Sequence, residues 1–486
     1  MIYERMRLMH DTSTFQHPLQ TRYTSDEMKR HWSDDLKFRT WRKVWIVIAQ
    51  IQRELGLTII TEGQIAEMVK NRDSLDYDLL EKIEAKLKHD VLTHIQAFGI
   101  QCPNAKPIIH LGCTSCDITD NAELVIMREA IGMICVGLAK VIDRLRKFAY
   151  QYRDLPTLGY THFQAAQLVT VGKRASLWLQ DLMHDLGDLE RLRNGLEFRG
   201  LKGVTGTQAS FLALFNGDHE RVKELDRRFG AAFQFTRIFP ITGQTYSRRQ
   251  DTTILSALAS FGASAYKMCD DLRRLAHLKE IEEPMDEEQK GSSAMPYKRN
   301  PMRCERACGL ARYLMNLVSG FFDTHATQWL ERSLDDSSFR RMAIAEAFLT
   351  ADAILRILQN VSEGLIVYPK MITAHLYAEL PFMATENIIA AMVKAGGDRQ
   401  EAHHRISVHS RAAAHRVKNE GLNNNLVILI RDDPFFEPIH AELDNLLDPS
   451  TFIGRAPEQV EEFMEEIDHV LKPYKDQLGG TVELKV

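Results

Sequence analysis

The sequence predicts an all-α protein in three parts, with a central bundle of long helices between two regions of shorter ones. Three observations predict it. Apolar residues recur at heptad spacing over several long stretches, strand signals are few, and the long stretches are separated by polar breaks rich in Thr, Ser, Gln and His. With 486 residues the chain has room for two or three domains and a large core.

Residues 1–114 form the N-terminal part, with shorter amphipathic segments around KFRTWRKVWIVIAQIQRELG. The central part, 115–367, carries the heptads. Leu124, Ile131, Leu138 and Leu145 recur every seven residues, with Met127, Ile134, Val141 and Phe148 filling the second position. The second helix carries Ala175, Leu182, Leu189 and Leu196, with Leu179 and Leu186 between them, and the third carries Ile254, Phe261, Met268 and Leu275, with Leu258, Ala265 and Leu272. A looser fourth spans Phe348, Ala351, Leu355, Leu358, Ser362 and Leu365, and MRCERACGLARYLMNLV reads as another helix. Helices of about 28 residues run roughly 40 Å and must pack side by side to hide such seams. After VYPK the pattern shortens again, with turn signals at AGGDR, NEGLNNN and RDDPFF, so 368–486 is the C-terminal part.

Bulk properties exclude several functions. Hydrophobic residues make up 44% and charged residues 26%, the balance of a globular protein rather than a disordered or fibrous one. A net charge of −5 supplies no global basic field for nucleic acid, so an anionic ligand needs a local cluster of Lys and Arg. No apolar run is long enough to span a membrane, and MIYERMRLMHDTSTFQHPLQ lacks the apolar core of a leader. Seven cysteines do not form a disulfide framework, and a cytoplasmic protein is expected.

The breaks carry the candidate chemistry. Nucleotide-binding glycine loops of the P-loop or dinucleotide type are absent, and Gly200, Gly203 and Gly206 read as shaping a turn. Cys113 and Cys116 make a single CxxC, weak support for metal or redox chemistry. In KHDVLTHI, read as helical, His89 and His94 lie about 140° apart, which argues against one shared metal. Lys88, His89 and Asp90 read either as an anion-facing, proton-handling cluster or as a solvated helix face. His162 sits in a polar loop, YTHFQ, where an imidazole suits acid–base work and Thr161, Gln164 and Gln167 lie close in sequence.

GSSAMPYKRNP, residues 291–301, interrupts acidic and helical sequence with two serines, two prolines and a Lys-Arg pair. Ser292 lacks the GxSxG elbow of a nucleophile. Asn300 and Pro301 read as N-cap and first residue of the next helix, whose positive end would join Lys298, Arg299, Arg303 and Arg306 in an anion trap. QWLERSLDDSSFRR sets Arg332, Arg340 and Arg341 among Ser337 and Ser338, as a second trap or as surface ion pairs.

The loop resembles the GSSxMPxKxNP signature of the fumarase/aspartase superfamily, matching all eight specified positions. HLGCTSCDITDN is similar to the superfamily's Thr-Ser segment and YTHFQAAQ to its histidine segment. The Tyr-Lys-Arg form of the loop, with TGQTY and the arginine-rich segment, most resembles members that act on a succinylated nucleotide. The resemblance implies a homotetramer whose central helices form its core, giving the heptad seams their partners, with each active site shared among subunits. It implies a lyase that eliminates fumarate from a succinylated adenine nucleotide to leave AMP, and from the succinylated carboxamide ribotide of purine synthesis.

The roles implied are Ser292 as base, His162 as acid with Thr161 beside it, and Lys298 and Asn300 stabilising the carbanion-like state. Thr114, Ser115 and Gln244 would grip the succinyl part. Arg22, Tyr23, Arg306, Arg332, Ser337 and Arg341 would hold carboxylate, ribose or phosphate. Lys88, His89 and Asp90 would complete the nucleotide side, with His89 supporting His162. The ligands implied are small nucleotides, with no metal or organic cofactor, no nucleic acid and no membrane. The sequence departs from the pattern at Ala165, in place of proline, and at Lys88, in place of arginine. Alternatives are a sister lyase for argininosuccinate and a non-catalytic structural protein on the same fold.

Overall fold

The computed structural model describes residues 13–286 and 288–485. The first twelve residues, part of the segment read as lacking a leader, lie outside the described ones.

Five helices lead the chain: Asp26–His31 (α1), Asp34–Glu54 (α2), Glu62–Lys70 (α3), Tyr77–Leu87 (α4) and Asp90–Gln101 (α5). Each starts where a side chain accepts a bond from the exposed amides of its first turn. Ser25, Ser33 and Asp76 cap α1, α2 and α4, and Thr61 with Gln64 closes a capping box on α3. The cap of α5 is the imidazole of His89, so KHDVLTHI is not one helix. It breaks at Lys88, whose φ of 53° ends α4.

The central elements are Ser115–Gln151 (α6), Val171–Gly195 (α7), Ala209–Leu214 (α8), His219–Ala232 (α9), Arg249–His277 (α10), Met302–Ala326 (α11) and Asp335–Glu363 (α12). The long ones close a ring: α6 packs on α7 and α12, α12 on α11, α11 on α10, and α10 on α7. Every heptad residue of the four predicted stripes is buried, except that Leu365, just past α12, is half-buried. Those seams were expected to find partners in other subunits, but they are consumed inside one chain because the ring turns each stripe inward. The starts of α6, α10 and α12 share one end of the bundle, here the cleft end. The start of α11 lies at the other, the loop end.

Strands are few and short, as predicted. Pro156–Thr161 (β1) and Gln164–Thr170 (β2) form an antiparallel hairpin between α6 and α7. Glu197–Phe198 (β3) pairs with Arg237–Ile238 (β4) at the cleft end, and Ile281–Glu282 (β5) with Ile366–Val367 (β6) at the loop end. YTHFQ, read as a polar loop, is the tip of this hairpin, with strand pairing up to Thr161 and from Gln164.

The chain continues through Pro369–Met383 (α13), Thr385–Lys394 (α14), Arg399–Glu420 (α15), Leu426–Asp432 (α16) and Ala456–Leu471 (α17). Ile388, Met392, Ile406, Ile430 and Phe436 make a separate apolar cluster there. By contrast Val460, Ile467 and Leu471 of α17 join the central core. Leu376 and Leu380 of α13 pack on Leu158 and Leu168, so the C-terminal part supports the β1–β2 hairpin. No helix among the described residues is long and apolar enough to cross a membrane.

Candidate active site

At the cleft end α2, α4 and α5 stand off from the starts of α6 and α12, leaving a cavity of about 1390 Å³. Eight of the predicted residues line it: Lys88, His89, Asp90, Ser115, Gln244, Arg332, Ser337 and Arg341. Thr114 sits beside them, closing the capping box of α6 with Asp117. The positive end of this 37-residue helix therefore faces the cavity, together with Lys88, Arg332 and Arg341. His89 Nδ1 accepts from the Leu92 amide at 3.3 Å, so in the neutral ring Nε2 carries the proton. Arg341 reaches Asp90 at 3.1 Å and ties α12 to α5 across the cavity. The Gln244 amide donates to Val204 O at 3.1 Å, while its backbone N–H donates to Glu331 O at 3.0 Å.

His94 lines the cavity too, but it is buried, with its ring centroid 3.9 Å from that of Phe38. Burial pushes its pKa down to about 4, so it stays neutral as a packing residue. The CxxC thiols are free and unpaired. Burial pushes Cys116 up to about 12, too high for a reactive thiolate at neutral pH.

Under the cavity lies a network that sequence reasoning missed. Arg248 donates to Asp336 at 2.7 Å and to both oxygens of Asp120. Arg340 donates to Asp251 at 2.7 Å, to Glu123 at 2.5 Å and to the Tyr246 hydroxyl at 2.7 Å. Tyr246 in turn donates to Asp251 at 2.5 Å. Arg340, read as part of an anion trap or a surface pair, is neither; it is paired and buried. The available signal was the recurrence of arginines within a helical turn of carboxylates in SRRQD and DDSSFRR.

At the loop end, Gly291 and Asn300 form a neck. The Asn300 amide donates to Gly291 O at 2.6 Å, and a Cβ at Gly291 would collide with the Lys298 carbonyl. Gly291 is thus a point of close approach. Gly291→Ala should cut turnover about tenfold or more by prising the neck apart. The thermal midpoint should move little, since the loop is mostly exposed; steady-state kinetics beside a melting curve check this.

Beyond the neck, Ser292 Oγ accepts from the backbone N–H groups of Met295 at 3.1 Å and Ala294 at 3.3 Å. Lys298 is exposed, and among the described residues its ammonium makes no bond to Ser292. The helix expected to begin at Pro301 begins at Met302. Its cap is a remote carboxylate: Glu283 accepts from the amides of Arg303 and Cys304, both at 2.8 Å. The expected anion trap is therefore largely filled. Arg303 pairs with Asp286 and donates to Asn360, and Arg299 pairs with Glu282. Arg306 lies 5.7 Å from the Tyr23 ring, and Arg22 also acts on it, which gathers those three predicted residues at one place.

His162 and Phe163 are the two turn residues of the hairpin, both with positive φ, and Thr161 pairs with Gln164 across them. That is the pattern of a two-residue type I′ turn, here without glycine. It projects an exposed imidazole to which, among the described residues, nothing bonds; Gln164 donates to Phe163 O rather than to the ring. Arg274 of α10 lies 5.0 Å from the Phe163 ring.

The predicted residues thus fall into two sets. The cleft end has Lys88, His89, Asp90, Thr114, Ser115, Gln244, Arg332, Ser337 and Arg341. The hairpin and loop end have Thr161, His162, Ser292, Lys298, Asn300, Arg306, Arg22 and Tyr23. The 25-residue helix α11 that separates them is about 38 Å long. One subunit does not bring His89 to His162.

Residues 47–315 match the family model described as Lyase, and residues 381–463 match the one described as Adenylosuccinate lyase C-terminus. Over 474 residues the chain is 52% identical to adenylosuccinate lyase of Saccharomyces cerevisiae, covering 97% of this chain and 98% of that one. It is 50% identical to that of Schizosaccharomyces pombe and 47% identical to that of Schistosoma mansoni, with the same coverage. Among solved structures, 3-carboxy-cis,cis-muconate lactonizing enzyme from Pseudomonas putida superposes with a TM-score of 0.80 at 22% identity, over 93% of this chain and 99% of that one. A fumarate lyase from Mesorhizobium sp. BNC1 gives 0.77 at 23%, over 94% and 99%. These two show the fold.

Proposed function

Because the chain belongs to the adenylosuccinate lyase family, we propose that it splits adenylosuccinate into AMP and fumarate with Ser292 as base and His162 as acid. The same site would act on the succinylated carboxamide ribotide of purine synthesis. The observation that carries the assignment of the base is the pair of amides on Ser292 Oγ. A serine hydroxyl is a poor base; two N–H donors fixed on its oxygen favour the alkoxide that a base must offer. The alkoxide takes the Cβ proton beside a succinyl carboxylate, and negative charge spreads onto that carboxylate. The exposed Lys298 ammonium stabilises it, an effect worth about 3–4 kcal/mol for one well-placed donor. The C–N bond then breaks, and protonated His162 supplies the proton to the departing nitrogen. Asn300 serves by holding the neck that aims Ser292.

The cleft end would bind the nucleotide: Lys88, His89, Asp90, Arg332, Ser337 and Arg341 around phosphate, ribose and carboxylate, with Thr114, Ser115 and Gln244 on the succinyl part. Arg22, Tyr23 and Arg306 would add contacts from the loop end. The placing of the two sets toward opposite ends of the bundle supports a site completed by other copies, and hence a homotetramer in the cytoplasm built from three parts, 1–114, 115–367 and 368–486. His89 would support His162 only across such an interface.

Mixing inactive Ser292→Ala and His89→Ala subunits, unfolding them together and refolding, should restore fumarate release. If the two residues come from different copies, about a quarter of the sites in an equal mixture regain both. A mixture as inactive as its parents would sink the shared site.

A further inference from the structure

The acidic segment before the signature loop has no part in the chemistry above, yet its three glutamates hold three pieces of the loop end. Glu280, buried, accepts from His375 Nδ1 at 2.9 Å, on the helix that packs under the β1–β2 hairpin. Glu283 caps α11 where the loop ends. Glu282 faces the loop itself: its Oε2 accepts from the Tyr368 hydroxyl at 2.9 Å and lies 3.3 Å from Arg299 Nε. Pairing of β5 with β6, reinforced by the Tyr368 amide donating to Glu280 O at 2.9 Å, fixes this glutamate on the body of the subunit.

The other polar contacts of residues 292–299 stay within the loop: the amides on Ser292, the Lys298 amide on Met295 O, and the Tyr297 hydroxyl on the Met295 sulfur. Among the described residues, Arg299–Glu282 is the one ion pair or side-chain bond that ties this stretch to the rest of the chain. We propose that Glu282, buttressed by Tyr368, is the positioning residue of the Ser292 loop and acts through Arg299. The neck sets where the loop starts and ends, while the pair sets the direction in which it lies. With the side chains 41% and 18% exposed, such a pair contributes little to folding stability. A small error in the placement of a base, by contrast, costs about a hundredfold in rate per ångström. The proposal rests on Ser292 as the base.

The test is steady-state fumarate release from adenylosuccinate by Glu282→Gln, Arg299→Gln, the double variant, and the swap of Glu282→Arg with Arg299→Glu. Each single change should lower kcat about tenfold or more, with KM within about twofold. The double should be no worse than the weaker single, because both break one contact. The swap should recover part of the loss, and Tyr368→Phe should show a smaller loss of the same kind. Melting curves should overlay that of the parent. Unchanged kcat in Glu282→Gln, losses that multiply in the double, or a loss that tracks unfolding would each overturn the proposal. Inactive Ser292→Ala with fully active Glu282→Gln would sink this proposal alone; active Ser292→Ala would remove its premise.

Discussion

Ser292→Ala is expected to lower kcat for fumarate release about a thousandfold while leaving KM and the melting temperature near those of the parent. The substitution removes the proposed proton acceptor and the oxygen on which the amides of Ala294 and Met295 converge. Those amides lie in an exposed loop, so water takes the place of the lost acceptor and folding is hardly touched. KM should hold because the contacts proposed for the nucleotide, Lys88, His89, Asp90, Arg332, Ser337 and Arg341, belong to other side chains that the substitution leaves in place. A variant within tenfold of the parent would show that Ser292 does not take the proton.

Arg340→Ala is expected to have the opposite profile, a loss of stability of about 3–5 kcal/mol read as a shift of the urea midpoint. The guanidinium is buried and satisfies Asp251, Glu123 and the Tyr246 hydroxyl at once. Burial opposes its charge, but Asp251 and Glu123 outweigh that and hold its pKa well above the ordinary arginine value. Removing it leaves carboxylates in the floor of the cavity with no countercharge. A midpoint within about 1 kcal/mol of the parent would mean that water or Arg248 takes over. The same network has an acid limit. Burial pushes Asp120 up, and Arg248 and Arg340 more than offset it, so its folded pKa lies below the usual carboxylate range. A depressed folded value gives stability that is present above about pH 4 and is lost as pH falls through that value.

The helices were legible because their signal is local and repeated. Leu124 to Leu145 mark one face over and over, and burial of that face needs no knowledge of what covers it. What covers it was not legible: the ring of five helices closes within one chain, and no heptad says whether its partner is covalently attached. The His162 hairpin escaped because its turn lacks the Asn-Gly or Asp-Gly that announces positive φ at both positions. The start of α11 was misplaced by one residue because Asn300 matches a local cap, while the real cap, Glu283, lies about twenty residues earlier and arrives only through folding. Lys88, His89 and Asp90 left two readings open. The structure puts all three on the wall of the cavity, since the break at Lys88 takes His89 out of the helix and turns it into a cap, and this supports the proposed ligand-facing reading.

The neck at Gly291 and Asn300 has a consequence for inherited or random variation. A loop closed at its base contributes little to the free energy of folding, and changing its contents costs the fold little. Substitutions between residues 292 and 299 should therefore leave the protein as abundant in cells as before, passing every screen that reads expression or solubility, while its product disappears. Variants in the arginine–carboxylate floor should be caught by those same screens, because they reduce the amount of protein first.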